Sequence, residues 1–252
     1  QDIITLENLR NTNPLYYQIY CEGLWGVEDK SGKFAYAFDK DKHVSKIPLQ
    51  FNPDKPLYLS FDFNVNPYMS CSVWQMNGGS VYLIDEIAMK SPNNRTKDTC
   101  WEFTRRYNNH KAGLFVYGDP SGRAESTKTE AGWNEYSIIT KELEKFRPTL
   151  RLLSVAPNHK LRGDFINSIF EGSVEGVRIY IFEKSVYMKN DLMFGKEDSE
   201  GYKLKEKHKD ENGVQSEKYH HFSDGMDYMI CSAFASEFER FQSGTNPGNW
   251  SV

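Results

Sequence analysis

Residues 57–65 read Leu-Tyr-Leu-Ser-Phe-Asp-Phe-Asn-Val, and this alternation constrains the fold more than any other stretch of the chain. Leu57, Leu59, Phe61, Phe63 and Val65 fall on one side, and Tyr58, Ser60, Asp62 and Asn64 on the other. A period of two is the signature of a β-strand with one apolar face. It sets Asp62 in the middle of the opposite face. Aspartate is depleted in strands, so a carboxylate there calls for a reason.

The pattern continues with strands at 69–76 (MSCSVWQM) and 80–88 (SVYLIDEIA), joined at Asn77-Gly78-Gly79. Such a turn suits a hairpin, so the three strands predict an antiparallel meander. Beyond it the period changes. Residues 96–109 read as a helix with Cys100, Phe103 and Tyr107 on one face, GLFVYGD (113–119) as a strand, and 132–146 as a helix. RLLSVA (151–156) reads as a strand, 161–170 as a helix, 177–182 as a strand, and 223–241 as a last helix with Ser223 as its N-cap. The order predicts an α/β fold, a mixed β-sheet of three antiparallel strands followed by parallel strands, flanked by helices.

Three segments stand outside that pattern. Residues 1–55 form a lead-in, with an early helical stretch, a short strand at KFAYAF (33–38) and a turn at NPDKP (52–56). Residues 195–218 are dominated by Lys, Glu, Asp and Gly and predict an exposed excursion or hairpin. Residues 243–252 form a flexible tail. The folded domain therefore runs from 56 to 242. The first residue is Gln, which suggests a piece of a longer protein, with a processed N-terminus as the alternative.

Composition narrows the classes. With 38% hydrophobic and 14% aromatic residues, the chain is globular and not disordered. No run approaches the roughly 18 apolar residues of a membrane span. Cys21, Cys71, Cys100 and Cys231 are widely spaced, with no CxxC pair, and read as reduced thiols of a cytosolic protein rather than a zinc site. The net charge of −4 argues against a general nucleic-acid coat. It leaves room for an enzyme that gathers carboxylates at a metal and lysines elsewhere.

The carboxylates worth weighing are few. Asp62 lies in the first strand. Asp119 ends the apolar run GLFVYGDP, where open α/β sheets hold ligands, and it also suits the start of a Pro120-Ser121-Gly122 turn. Asp224 lies in the first turn of the last helix, where it would also complement the helix dipole, and Asp227 shares its face. Glu86 is a reserve, with Asp85 beside it as a strand-end charge. Carboxylates brought together above one sheet edge repel one another and are stable only with a cation. Oxygen ligands favour Mg²⁺ or Mn²⁺, and two such ions are an apparatus for phosphodiester hydrolysis. His220 and His221 could contact phosphate or support the ligands. Lys203, Lys205, Lys207 and Lys209 recur every second residue and would form a phosphate-contacting strip if extended. Lys160 and Arg162 form a smaller basic pair. GxxxxGK[ST], GxSxG and HExxH are absent.

NPLYYQIYCEGLWG, FDFNVNP, YLIDEI, YGDPSG and HFSDGMDYMIC, in that order, resemble the C-terminal half of the large terminase subunits of tailed bacteriophages. The resemblance covers about residues 10–240. It implies an RNase H-like fold, related to Holliday-junction resolvases and retroviral integrases. It also implies a metal-dependent endonuclease that cuts concatemeric viral DNA during genome packaging, with Asp62, Asp119 and Asp224 as metal ligands and Asp227 or Glu86 assisting. Double-stranded DNA, the small terminase subunit and the portal protein are the implied partners, and the host cell cytoplasm the implied location. ATP would serve only a motor domain that this chain lacks. A resolvase, a transposase-like strand transferase and a non-catalytic DNA- or portal-docking module are the competing readings.

Overall fold

The computed structural model describes residues 32–47, 51–124, 133–209, 213 and 215–244. A short helix α1 (Lys40–His43) leads into a two-residue strand β1 (Val44–Ser45). The meander follows as β2 (Leu57–Asp62), β3 (Met69–Asn77) and β4 (Ser80–Met89), antiparallel in turn. Asn77 faces Ser80 across the Gly78-Gly79 turn, and Gly78 has φ +60°. Glycine takes that conformation without strain, so the turn residues set the register of the hairpin.

Helix and strand then alternate as α2 (Thr96–Arg106), β5 (Leu114–Gly118), a 3₁₀ turn at Pro120–Arg123, α3 (Glu135–Glu142), β6 (Pro148–Leu150), α4 (His159–Glu171), β7 (Arg178–Phe182) and α5 (Val186–Phe194). A small hairpin, β8 (Lys207–Lys209) and β9 (Gln215–Glu217), precedes α6 (His221–Ala233) and α7 (Ala235–Gln242). Among the described residues, the main sheet has seven strands in the order β1-β7-β4-β3-β2-β5-β6. β5 and β6 add parallel on one side of the meander, β7 and β1 parallel on the other.

Two apolar cores cover the two faces. On one face, Leu57, Leu59 and Phe61 of β2 join Cys71, Val73, Leu114 and Val116 against Cys100 and Phe103 of α2 and Tyr136 and Ile139 of α3. On the other, Trp74, Leu83, Ile179 and Ile181 pack against Phe165 and Ile169 of α4 and Phe222, Met226 and Ile230 of α6. Each fully buried side chain of this size contributes about 1.5–3 kcal/mol. The polar side of β2 is thus buried as well, beneath α6. It can be, because the contact is made of small residues. The Ser60 hydroxyl donates to the Gly225 carbonyl at 2.5 Å, and Ser70 donates to the His221 carbonyl at 3.2 Å.

Four expectations need correction. β2 ends at Asp62 rather than 65. The edge strand is Pro148–Leu150, not 151–156. Pro148 is tolerated there because an edge position needs no N–H on its open side. Leu152 and Leu153 instead pack from a loop, one on each core. Residues 33–38 form turns, with a single bridge from Lys33 to Lys196, and bury Phe34, Ala35 and Phe38 as a plug. The last helix starts at His221, before Ser223, and breaks at Phe234. The lead-in through residue 31 and the tail from 245 lie outside the described residues.

Candidate active site

Asp62 closes β2 on the face turned toward α6 and is only 7% exposed. Its Oδ2 accepts a hydrogen bond from Asn64 Nδ2 at 2.8 Å and lies 3.7 Å from His221 Nδ1. His221 donates from Nε2 to the Glu217 carbonyl at 3.0 Å, which leaves Nδ1 turned toward Asp62. Burial pushes the Asp62 carboxyl up, opposed by His221 and Asn64 and reinforced by the charge of Asp224. Burial works to neutralise His221, but Asp62 and the Glu217 carbonyl hold its pKa above the usual value.

The parallel pairing of β2 with β5 joins Phe61 to Gly118. Asp62 is the last residue of β2 and Asp119 the first residue beyond β5, so each follows the last paired position of the ladder. The approach is close at Gly118, whose φ is +152° and where a Cβ would lie 2.6 Å from the Phe61 carbonyl oxygen. Asp119 is half-buried; its Oδ1 accepts from the Ser121 N–H at 2.8 Å, and its carbonyl accepts from the Tyr136 hydroxyl at 2.7 Å. It is therefore the turn former its sequence context suggested, placed at the end of a core strand.

Asp224 and Asp227 lie on α6, across the sheet face from Asp62. Between them sits Lys203, from the loop before the hairpin. Its Nζ is 2.9 Å from Asp224 Oδ1 and 2.7 Å from Asp227 Oδ2, and its side chain is 1% exposed. It also donates to Ser223 Oγ at 3.1 Å. Burial disfavours the ammonium, yet the two aspartates raise its pKa above the usual lysine value. Burial likewise opposes ionisation of Asp224, but Lys203 and Arg162 overcome it and hold that carboxyl well below the usual range. The deeper Asp227 is pushed up by burial more than the same cations pull it down.

The start of α6 is held by a group with no sequence signal. Asp191 of α5 accepts from the Phe222 and Ser223 N–H groups at 2.8 and 3.0 Å, supplying in trans the cap expected of Ser223. Burial pushes its pKa up to about 6 in spite of those bonds. His220 precedes α6 with φ 81°. Its ring is buried edge-on to Phe34 and has its pKa pushed down to about 3 by burial. A neutral, enclosed ring of this kind is structural, and it does not meet solvent as a phosphate contact would.

Several other expected contacts fall elsewhere. Glu86 lies on the α6 side of the sheet, but its carboxylate accepts from the Tyr187 and Met188 N–H groups at 3.1 and 2.5 Å and caps α5. Asp85 turns to the opposite face and pairs with Arg106 at 3.0 Å. Arg162 is 0% exposed, with its guanidinium 4.3 Å from the Tyr228 ring centre, so it does not reach solvent. Lys203 is buried and leaves the expected strip, while Lys205 pairs with Glu217 at 3.1 Å. Lys207 and Lys209 on β8 are exposed on alternate residues of a true strand, and Lys160 is exposed at the start of α4. A groove of about 600 Å³ beside β8 is lined by Tyr68, Lys90, Tyr187, Lys207, His208 and Lys218. Its lining includes none of the candidate aspartates, but the Tyr68 ring on its wall meets His221, the neighbour of Asp62, edge-on at 5.2 Å. A cavity of about 690 Å³ by Phe63 and Trp133 includes none of the candidate aspartates.

The oxygen donors here are chemically suited to Mg²⁺ or Mn²⁺, but they are not assembled as a two-ion cage. Each is engaged: Asp62 with Asn64 and His221, Asp119 with its own turn, and Asp224 and Asp227 with Lys203. Among the described residues, no three His, Cys, Asp or Glu side chains come together as a metal cluster.

The strand order, with three antiparallel strands continued by parallel β5 and β6 and α6 laid across the centre, agrees with the expected RNase H-like fold. Among solved structures, the fold is similar to that of a bacteriophage large terminase. The large terminase of a thermophilic bacteriophage superimposes with a TM-score of 0.51 at 15% identity, over 90% of this chain and 51% of that one. The complex of that terminase with ATP-gamma-S gives 0.50 at 17% identity, over 92% and 52%. The P22 large terminase nuclease domain gives a lower score, 0.46, at 13% identity over 84% and 94%. The chain thus spans about half the length of the thermophilic-phage terminase. No protein-family model and no curated protein sequence matches it.

Proposed function

We propose that this chain is a metal-dependent DNA endonuclease of the terminase type, which cuts concatemeric viral DNA by hydrolysing phosphodiester bonds during genome packaging. The observation that supports it is the placement of Asp62 at the end of the internal strand β2, of Asp119 one residue beyond the parallel strand β5 that pairs with it, and of Asp224 on the helix packed against β2. In this reading Asp62, Asp119 and Asp224 are the catalytic carboxylates and Asp227 assists. Asp62 and Asp119 have no lysine or arginine partner among the described residues, and they would hold Mg²⁺ or Mn²⁺. When bound, such an ion supplies an activated water and polarises the phosphoryl oxygen. Asn64 fixes the orientation of Asp62, and His221 faces the same carboxylate oxygen, Oδ2. The two-ion arrangement expected from the sequence would require Asp224 or Asp227 to leave Lys203. Double-stranded DNA would lie along the groove beside β8, with Lys207 and Lys209 toward its phosphates. In a full-length protein, residues 1–55 would follow an ATPase motor, and a small subunit and a portal protein would be partners in the host cytoplasm.

One observation favours a second reading, a non-catalytic DNA- or portal-docking module: all four aspartates already have protein partners. Cleavage of supercoiled plasmid in Mg²⁺ or Mn²⁺ decides between them. The nuclease reading expects nicked and linear product, abolished by chelation and reduced at least ~100-fold by Asp62→Asn. An inert wild type, or an Asp62→Asn variant that cuts equally well, would overturn it.

A further inference from the structure

Resting on the nuclease reading above for its setting, we infer that the Lys203 ammonium is a built-in cation that takes the place of a second metal ion at the carboxylates of α6. The geometry carries this. Lys203 Nζ stands 2.9 Å from Asp224 and 2.7 Å from Asp227, with its side chain 1% exposed. It is fixed by a third contact to Ser223 Oγ at 3.1 Å, and its ammonium lies 5.0 Å from the Phe34 ring centre. A long, flexible side chain is seldom enclosed this completely unless its charge is answered. Arg162, 0% exposed, adds a second buried cation on the same side, over Tyr228.

Two carboxyl groups, Asp224 and Asp227, share the Lys203 ammonium, and the charge of the buried Arg162 guanidinium acts on both without a direct contact. A divalent ion added to the same pair would stand beside two fixed positive groups in a region where water screens little. Asp62 differs. Its neighbours are an amide and an imidazole, and its strand ends beside Asp119. Metal binding is thereby confined to the Asp62–Asp119 side, while Lys203 neutralises the helix side and holds Asp224 toward the site. Lys203 is a positioning residue in this scheme.

A metal cage and a lysine-neutralised pair respond oppositely to loss of a carboxylate charge. In an ion-free cage the carboxylates repel, so Asp→Asn stabilises the protein. Opposite a buried ammonium, the same change strands a charge and destabilises it. The experiment is thermal unfolding of wild type and Asp224→Asn in EDTA, with Mn²⁺ counted by electron paramagnetic resonance on the wild-type chain without DNA. We expect Asp224→Asn to lower Tm by about 5–10 °C in EDTA, and the wild type to bind one Mn²⁺ per chain. Lys203→Met, where it folds, is expected to gain a second Mn²⁺ and a larger rise of Tm with Mn²⁺ than the wild type shows. Two Mn²⁺ ions on the wild type, or an Asp224→Asn variant that is more stable in EDTA, would overturn the proposal. None of these readouts uses cleavage, so an inactive protein with one Mn²⁺ and a destabilised Asp224→Asn would sink the nuclease reading and leave Lys203 in its place.

Discussion

Arg162 has no exposed surface and lies over Tyr228, so its methylene stem packs in the core while its charge answers the aspartates of α6. Removing it takes away both packing and counter-charge. Arg162→Gln is expected to cost about 2–4 kcal/mol in urea unfolding, the loss scaling with the buried charge left unanswered. Filter-binding affinity of the folded variant for DNA is expected to stay at the wild-type level. Such roles were legible in the sequence only where local pattern encodes them. Asp62 was readable because a period of two fixes which face it takes, and Asp119 because an apolar run ends on it. Lys203 was not. It belongs to a tract of alternate lysines whose spacing predicts one solvent-facing row, and only the fold of the loop turns one member inward. Asp191 was equally hidden, since a carboxylate that caps a helix in trans leaves no mark near that helix.

At the scale of elements, α5 and β8 both line the groove beside the hairpin. The N-terminus of α5 is held by Glu86, whose pKa is pushed up to about 7 by burial in spite of two backbone N–H bonds. The folded state therefore binds this proton more tightly than the unfolded chain does. The stability Glu86 contributes is fully present below about pH 4.5 and is lost as pH rises through about 7. Urea unfolding of wild type and Glu86→Gln at pH 5 and pH 8 should show it. The wild type is expected to lose stability relative to the variant at the higher pH, and a constant difference would count against the assignment. On the hairpin, Lys207 and Lys209 are exposed on one side of β8. Lys207→Gln with Lys209→Gln is expected to weaken DNA binding and to reduce the slope of log K against log salt by about 1–2, as read from binding titrations at several salt concentrations. The strand itself was legible as an exposed hairpin, but its length was not. Among the described residues three pair on each side, and of the four alternate lysines Lys207 and Lys209 lie on the paired strand.

For the molecule as a whole, the meander and its α/β continuation could be read from local periodicity, because each element carries its own pattern. The addition of β7 and β1 beyond β4 could not, since parallel pairing between segments about a hundred residues apart has no local signature. The placement of α6 has the same character. It lies across β2 only because Ser60 and Gly225 keep side-chain bulk out of the crossing, and that contact sets how far Asp224 stands from Asp62. A Cβ at Gly225 would meet Ser60 Oγ at 3.4 Å and the Ser60 carbonyl oxygen at 3.5 Å, while the helix dihedrals there suit any residue. Gly225→Ala should therefore be close to neutral, its contact cost offset by about 1 kcal/mol of helix propensity. Gly225→Leu has no such room and must lift α6 from the sheet. It is expected to lose about 2–4 kcal/mol in urea unfolding and, on the nuclease reading, to lose plasmid cleavage more steeply than stability, because the helix carries Asp224 away with it. If Gly225→Leu folded and cut like wild type, the crossing of α6 over β2 would not be what sets the geometry of the site.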